Sequence, residues 1–534
     1  MKKLYLSHFF VTLCLWLPGI STAQIMIDPN LADWSYSLMG PCVWEWSVSS
    51  TTPSSSDIIN FYGPTYTFGN DCYAEQYFGG DPALMINGLD QTIELFFQDP
   101  APVQCGLVDA PICGLHGTFG PLSPGTWTFY SSHPDLNFSI QIVVDGIVNT
   151  HDTIYVDSDV MTVTSNGTSW ETAFTSLQQA LAVAQYGSRI KIAEGRYVPT
   201  TIPDANATFR IPSGIKLEGG YQGMPGGTLP MYGTPEDRDI LLYPTILSGD
   251  ILQNDGSSFN GMEDNVYHVM DMSGTDVNTF ISGLTLKDGF ATHLDPNQQG
   301  GGLLAISSEA YVTRCTFTHN VAVTGGGVAS INSSNIFESC VFENNLALMH
   351  GGAMTIFSGT PLVLNSYLMG NQVPGDVFLG GSAISVTSSR FSLVSCTVAD
   401  NFSAAGGTLS LFGGNLWPSS DVQINNCILY NGGNEITIYD GSEIQVTYTD
   451  IQGGWWGAGN LNIDPLFMNR GTWSWDGTWQ SGDYHLQGWS PCIDAGDPSF
   501  QTVGTDIDGD PRILGQIIEM GADELLPMAP PPGF

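Results

Sequence analysis

Between residues 281 and 454, seven segments repeat one pattern at intervals of 22 to 31 residues, and this periodicity constrains the fold more than any other feature of the chain. Aligned, they read ISGLTLKDG, VTRCTFTHN, FESCVFENN, VLNSYLMGN, LVSCTVADN, INNCILYNG and VTYTDIQGG, with common positions at Leu284, Cys315, Cys340, Ser366, Cys396, Cys427 and Thr449. Each segment is short and rich in β-formers. A β-rich unit of this length cannot bury its own apolar face, so the repeats must stack as turns of a solenoid.

The pattern inside each turn carries the detail. Three positions before the common residue stand Ile281, Val312, Phe337, Val363, Leu393, Ile424 and Val446; two positions after it stand Leu286, Phe317, Phe342, Leu368, Val398, Leu429 and Ile451. Strand alternation then places the common residue and the second residue after it on one inward face. The cysteines read as an internal row of small buried hydrophobes. Five positions after the common residue come Asn320, Asn345, Asn371 and Asn401. We expect these to occupy the left-handed region and cap each bend through their amides. The series Gly300–Gly302, Gly325–Gly327, Gly351–Gly352, Gly380–Gly381 and Gly406–Gly407 predicts a second bend where stacked chains leave no room for a Cβ.

Upstream, Leu177, Ala180, Leu181 and Ala184 recur at helical spacing, with Thr168 or Ser169 to cap the start and Gly187 to end the helix. Residues 24–150 read as a separate small β domain; the stretch from Gly125 to Gly146 alternates as a hairpin or meander does. Lys2, Lys3, an apolar run from Phe9 to Pro18 and the small residues Ser21-Thr22-Ala23 make a secretory leader, residues 1–23. That run is shorter than the ~20 apolar residues a membrane span needs. Export to an oxidising compartment would let Cys42, Cys72, Cys105 and Cys113 pair, in a connectivity the spacing leaves open. The expected organisation is a leader (1–23), a β domain (24–150), a solenoid (151–465), a capping segment (466–526) and a Pro-rich tail (527–534), secreted or held at a cell surface and monomeric.

The charge balance removes whole classes of partner. Lys and Arg total 13 against 52 Asp and Glu, a net charge of −39; losing the two leader lysines makes it −41. Nucleic acid needs cationic contacts to its phosphates and is excluded. Anionic lipid surfaces and polyanionic sugars are disfavoured for the same reason.

The turns resemble right-handed parallel β-helix proteins of the pectin-lyase-like superfamily. The pairing of FTHN (Phe317 to Asn320) and FENN (Phe342 to Asn345) with GGGV and GGAM is similar to the repeats of polymorphic outer-membrane proteins. The lead-in, with SWETAFTSLQQAL, IKIAEGRY and PTILSGD, resembles the opening of many secreted bacterial β-helix proteins. NLNIDPLF, DYHLQGWSPCIDAGDPS, TDIDGDPR and EMGADE resemble the closing segment of surface β-helix proteins called choice-of-anchor Q. After Leu526 comes PMAPPPGF, in which we expect no hydrophobic attachment signal. The resemblance implies an all-β fold, a right-handed parallel β-helix preceded by a small β-sandwich-like domain. It implies no single activity, because the superfamily holds lyases, hydrolases and adhesins.

Catalytic signals are sparse. A uronate lyase needs Lys or Arg on one sugar and often calcium, yet from Gly300 to Pro465 only Arg314 and Arg390 are cationic, two or more turns apart. There is no G-H-G and no Asp-Asp pair, and Arg189-Ile190-Lys191 reads as an ordinary strand. Outward repeat positions read as Thr, Ser, Asn and Gln with scattered acids, of which Glu338, Glu343 and Asp400 have no evident partner in a neighbouring turn. His319 and His350 fall at different phases of their turns and read as solvated or loop histidines. Two binding features remain. Trp455, Trp456, Trp473, Trp475 and Trp479 cluster in Gly- and Ser-rich sequence as candidate glycan contacts, the competing reading being an apolar plug over the solenoid end. Asp506, Asp508 and Asp510 alternate as calcium ligands would, though no cofactor is required. The sequence therefore points to an exported non-catalytic protein of adhesion or glycan binding, its partner a polysaccharide or cell-surface glycan. A polysaccharide lyase or glycoside hydrolase on the same scaffold is the alternative.

Overall fold

The computed structural model describes residues 153–160, 165–230, 232–292, 298–375, 380–404, 407–413, 418–499, 505–515 and 517–525, together with the backbone of nine strands between residues 33 and 144. The chain divides into compact units at residues 151 and 152. In the first unit, Asp33–Ser37, Ile59–Tyr62 and Tyr66–Thr67 each pair antiparallel with Pro111–Phe119, and Ser47–Val48 extends that sheet. A second sheet holds Pro82–Asn87, Thr92–Phe97, Gly125–Ser131 and Phe138–Val144, the last two forming the antiparallel pair anticipated from their alternation. The leader, the tail and the side chains of Cys42, Cys72, Cys105 and Cys113 lie outside the described residues.

The second unit is a parallel β solenoid. One turn runs through Tyr311–Thr313, Thr316–Thr318, Val321–Thr324 and Val328–Ile331 before Ile336–Glu338 begins the next. Stacking the turns generates parallel sheets of ten, nine, eight and five strands. We call these, in the order the chain visits them, the first sheet (with Tyr311–Thr313), the second (Thr316–Thr318), the short flanking sheet (Val321–Thr324) and the third (Val328–Ile331). The inward positions are those the alternation names: Val312, Phe337, Val363, Leu393 and Ile424 of the first sheet and Leu286, Phe317, Phe342, Leu368, Val398 and Leu429 of the second are at most 1% exposed. Phe317 stacks on Phe342 with centroids 4.9 Å apart, close to the ladder spacing itself. Cys315, Cys340, Cys396 and Cys427 are buried free thiols, and burial raises the first three well above the usual thiol range.

The bends differ from expectation in one respect. At the corner between the second and flanking sheets, the left-handed residue is the fourth after the common position: Asp288, His319, Asn344, Gly370 and Asp400, with φ from 52° to 66°. The Asn series follows it and forms an internal amide ladder instead. Asn371 shows the pattern. Its Oδ1 accepts from the Asn345 backbone N–H (3.1 Å) and Nδ2 (2.9 Å), while its own Nδ2 donates to Phe342 O (2.8 Å) and Asn401 Oδ1 (2.9 Å). An amide pointing inward must sit on the residue beyond the bend, which is why the preceding residue takes the strain. Asn431 joins the ladder one position early, and Glu435 terminates it. A matching serine ladder, Ser308–Ser333 and Ser389–Ser420–Ser442, closes the corner between the third and first sheets.

The glycine bend is as anticipated: a Cβ on Gly326 would lie 2.5 Å from Leu346 O and one on Gly352 2.3 Å from Ser382 O. At the N-terminal end, the helix Leu177–Val183 starts after Ser176, which makes no side-chain capping bond; Ser169 precedes a separate 3-10 turn, Trp170–Thr172. Leu177, Ala180 and Leu181 seal the core there beside Ile154, Val156 and Phe209.

Candidate functional site

Outward residues of the second sheet are not uniformly polar. Tyr367, Met369, Ala399 and Ile428 form an apolar strip, and the closing segment folds back over it. Phe467–Asn469 pairs antiparallel with Asp483–Leu486, and between them Thr472–Trp473 pairs with Trp479–Gln480 as a hairpin. This segment covers a flank of the solenoid. The C-terminal end is closed by residues 455–461, with Trp455 packed on the main core and Asn460 Nδ2 donating to Val446 O and Trp455 O.

Trp479 is the wedge of this flank. Only 8% exposed, it lies over Gly370, where a Cβ would stand 2.3 Å from the indole. Its Nε1 donates to Glu343 Oε1 at 2.9 Å. Trp473, half-buried, packs on it at 4.9 Å and donates to Asp400 O at 3.1 Å. The Asp400 carboxylate pairs with Arg470 and accepts from Tyr484 OH at 2.7 Å, while the Arg470 guanidinium lies 4.9 Å from the centre of the Tyr430 ring. Glu343 and Asp400 therefore do have partners, supplied by the closing segment from some 70 to 136 residues away.

The five candidate tryptophans thus divide by environment. Trp455, Trp473 and Trp479 are packed, whereas Trp456 and Trp475 are 96% and 97% exposed. Trp475 sits at the tip of the hairpin, in a turn closed by Ser474 N–H to Thr478 O (2.8 Å) and by Asp476 accepting from Thr478 N–H (3.1 Å). The indole is held out on a short, hydrogen-bonded stem. Thr478 also touches Ser258 through their hydroxyls, 3.1 Å apart, linking the hairpin to the loop 250–265.

The carboxylates of Asp506 and Asp508 have separate partners, and Asp510 lies in the turn that Asp506 builds. Asp506 is buried; its Oδ1 accepts from the N–H groups of Asp508, Gly509 and Asp510, and its Oδ2 from Glu524 N–H. It builds a turn that carries Arg512 inward to Gly521 O and Glu524. Asp508 converges with His485 and Asp523 instead. His485 is held between Asp508 (2.7 Å) and Asp483 (2.5 Å), which push its pKa up to about 10 and keep the ring protonated. Burial raises Asp523 beside it to about 6, and raises Glu524 and Glu519, beside Arg512, to about 7 and about 8. This is an ionic clasp fastening the closing segment.

The histidines of the repeats are not solvated. His319 is clamped between the Asp288 carboxylate (2.8 Å) and the Phe259 ring (4.5 Å, stacked), and burial lowers His350 to about 4. Arg189 and Lys191 pair with Glu218 and Glu236 on the lead-in strand, consistent with a structural role.

A family described as a right handed beta helix region matches residues 300–462. The second unit is a right-handed parallel β-helix. Among solved structures, the chain is similar to pectate lyase Pel9A at 12% identity, over 70% of this chain and 97% of that one, with a TM-score of 0.34. It is similar to a rhamnogalacturonan lyase at 11% identity, over 63% and 97%, with a TM-score of 0.27. No protein of curated function matches it. No helix among the described residues is long and apolar enough to cross a membrane.

Proposed function

We propose that this chain is an exported, non-catalytic β-helix protein that binds a polysaccharide or cell-surface glycan through exposed indoles, Trp475 foremost and Trp456 as a further contact. The observation that carries the reading is the presentation of Trp475: a ring 97% exposed on a rigid hairpin whose other tryptophans are packed. An aromatic face gains free energy by covering the apolar face of a sugar ring, and a stem already ordered by its own hydrogen bonds loses little entropy on binding. The charge of −39 favours neutral glycans over polyuronates. Support for export comes from the leader, residues 1–23.

The test is retention of the mature protein on a panel of neutral glycans and polyuronates, with product analysis on the same samples. Binding to a neutral glycan that Trp475→Ala abolishes, without loss of thermal stability, is the expected result. New reducing ends or unsaturated products would replace the reading with an enzymatic one. Binding unchanged in Trp475→Ala would remove the site.

A further inference from the structure

Two groups of His and Asp side chains converge among the described residues, each with ligand atoms within 4.8 Å of one another. They differ in what they lack. In the His485 group both ring nitrogens already face carboxylates, so the imidazolium itself satisfies the acids. In the group Asp255–Asp288–His319, satisfaction is incomplete. His319 Nδ1 bonds to Asp288 Oδ1, and Asp288 Oδ2 is taken by Ser248 Oγ (3.0 Å) and Lys287 Nζ (3.2 Å). His319 Nε2 and Asp255 Oδ1 are buried without any partner. Asn265, 1% exposed, donates its Nδ2 to Asp255 Oδ2 (2.7 Å) and to Asp288 O (2.8 Å), which leaves its own Oδ1 buried and unpartnered as well.

Three orphaned polar atoms around one convergence need an explanation, because a buried donor or acceptor left unmade costs about 1–3 kcal/mol. In the neutral tautomer that donates Nδ1–H to Asp288, His319 Nε2 carries a lone pair. That is the tautomer a metal-binding imidazole adopts when a carboxylate holds its far nitrogen. With Asp255 ionised, Nε2 and the carboxylate oxygen are then both acceptors, so neither can satisfy the other, and a Lewis acid between the two converging residues can satisfy both. We propose that His319 and Asp255 bind a divalent transition-metal ion of the zinc class, with Asp288 orienting the imidazole and Asn265 the loop carboxylate. The imidazole favours this class over calcium, which takes oxygen ligands almost exclusively. The ion would fasten the loop 250–265 to the solenoid corner, beside the hairpin that Ser258 touches. The proposal does not depend on glycan binding.

The experiment uses the mature full-length protein stripped with chelator, with zinc, calcium and magnesium chlorides added separately and followed by calorimetric titration and thermal melting. Zinc is expected to bind and raise the melting temperature; Co²⁺ in its place should give visible d–d absorption. Asp255→Asn removes a ligand on a surface loop with little change of shape and should weaken zinc at least tenfold, as should His319→Gln. Asp288→Asn should weaken it about 10–100-fold, the range for a carboxylate behind a ligating histidine. His485→Gln should leave it unchanged. Silence with zinc, equal affinity in Asp255→Asn, loss in His485→Gln, or a response to calcium alone would each overturn the proposal. If His319→Gln fails to fold, Asp255→Asn still decides.

Discussion

Replacing Asn371 by Ala tests the claim that the amide ladder, more than the bends beside it, holds the corner of the β-helix. Asn371 is fully buried. Deleting its amide leaves the Asn345 backbone N–H without its acceptor at 3.1 Å, and takes from Phe342 O its side-chain donor at 2.8 Å while the ladder to Tyr367–Met369 remains. The Asn345 side-chain amide loses one bond of 2.9 Å but keeps Phe317 O, and Asn401 Oδ1 keeps the backbone N–H of residue 371. One group is therefore orphaned outright and three weakened. At about 1–3 kcal/mol for the orphaned group and about 0.5–1.5 kcal/mol for each of the other bonds lost, the cost in this buried corner is about 3–5 kcal/mol. Asn431 provides the internal standard: it is the last amide of the ladder, before Glu435, is partly exposed, and its loss should cost about 1–2 kcal/mol. Urea unfolding followed by tryptophan fluorescence reads both values from the midpoint and slope of the β-helix transition. A cost below about 1 kcal/mol for Asn371→Ala, or equal costs at the two positions, would refute the reasoning.

Trp479→Ala should destabilise by about 3–5 kcal/mol, the range for a buried indole, whereas Trp475→Ala should leave the melting temperature unchanged; equal effects would contradict the division of the tryptophans. Gly352→Ala sets a Cβ 2.3 Å from Ser382 O and 2.8 Å from Gln372 N and is expected to yield little folded protein, as judged by circular dichroism of the soluble fraction. The raised pKa of His485 means that the ionic clasp contributes fully below pH ~6.5, the unfolded value, and is lost as pH rises through about 10. Melting temperatures should converge between wild type and His485→Gln near pH 10 and diverge near pH 6; a constant gap would refute the assignment. Cys315, Cys340, Cys396 and Cys427 should resist a thiol reagent at pH 8 until urea is added, because all four are buried, and burial also holds the first three in the thiol form.

The repeat region was the most legible part of the chain, for a local reason. A strand shows its inward side by alternation, so Val312, Phe317, Phe337 and Phe342 announce their burial without reference to any distant residue. The glycine series is legible on the same ground, because the close approach recurs at every turn. The asparagines were legible as a row but not as a geometry: spacing cannot tell the residue that bends the chain from the residue whose amide fills the bend. The unequal tryptophans show a further limit. Trp473, Trp475 and Trp479 share one Gly- and Ser-rich stretch, yet hairpin pairing alone sends Trp479 over Gly370 and Trp475 to the tip.

What the sequence determined by itself was therefore the solenoid: its period, its inward rows and its two kinds of bend, all written in spacings of 2 to about 30 residues. Tertiary structure alone decided which outward row would be covered, which acids would be paired and which histidine would be left half-satisfied. Those outcomes depend on the single passage of residues 466–525 over the second sheet, and on one loop, 250–265, folding onto one corner. Neither event repeats, so no periodicity records it.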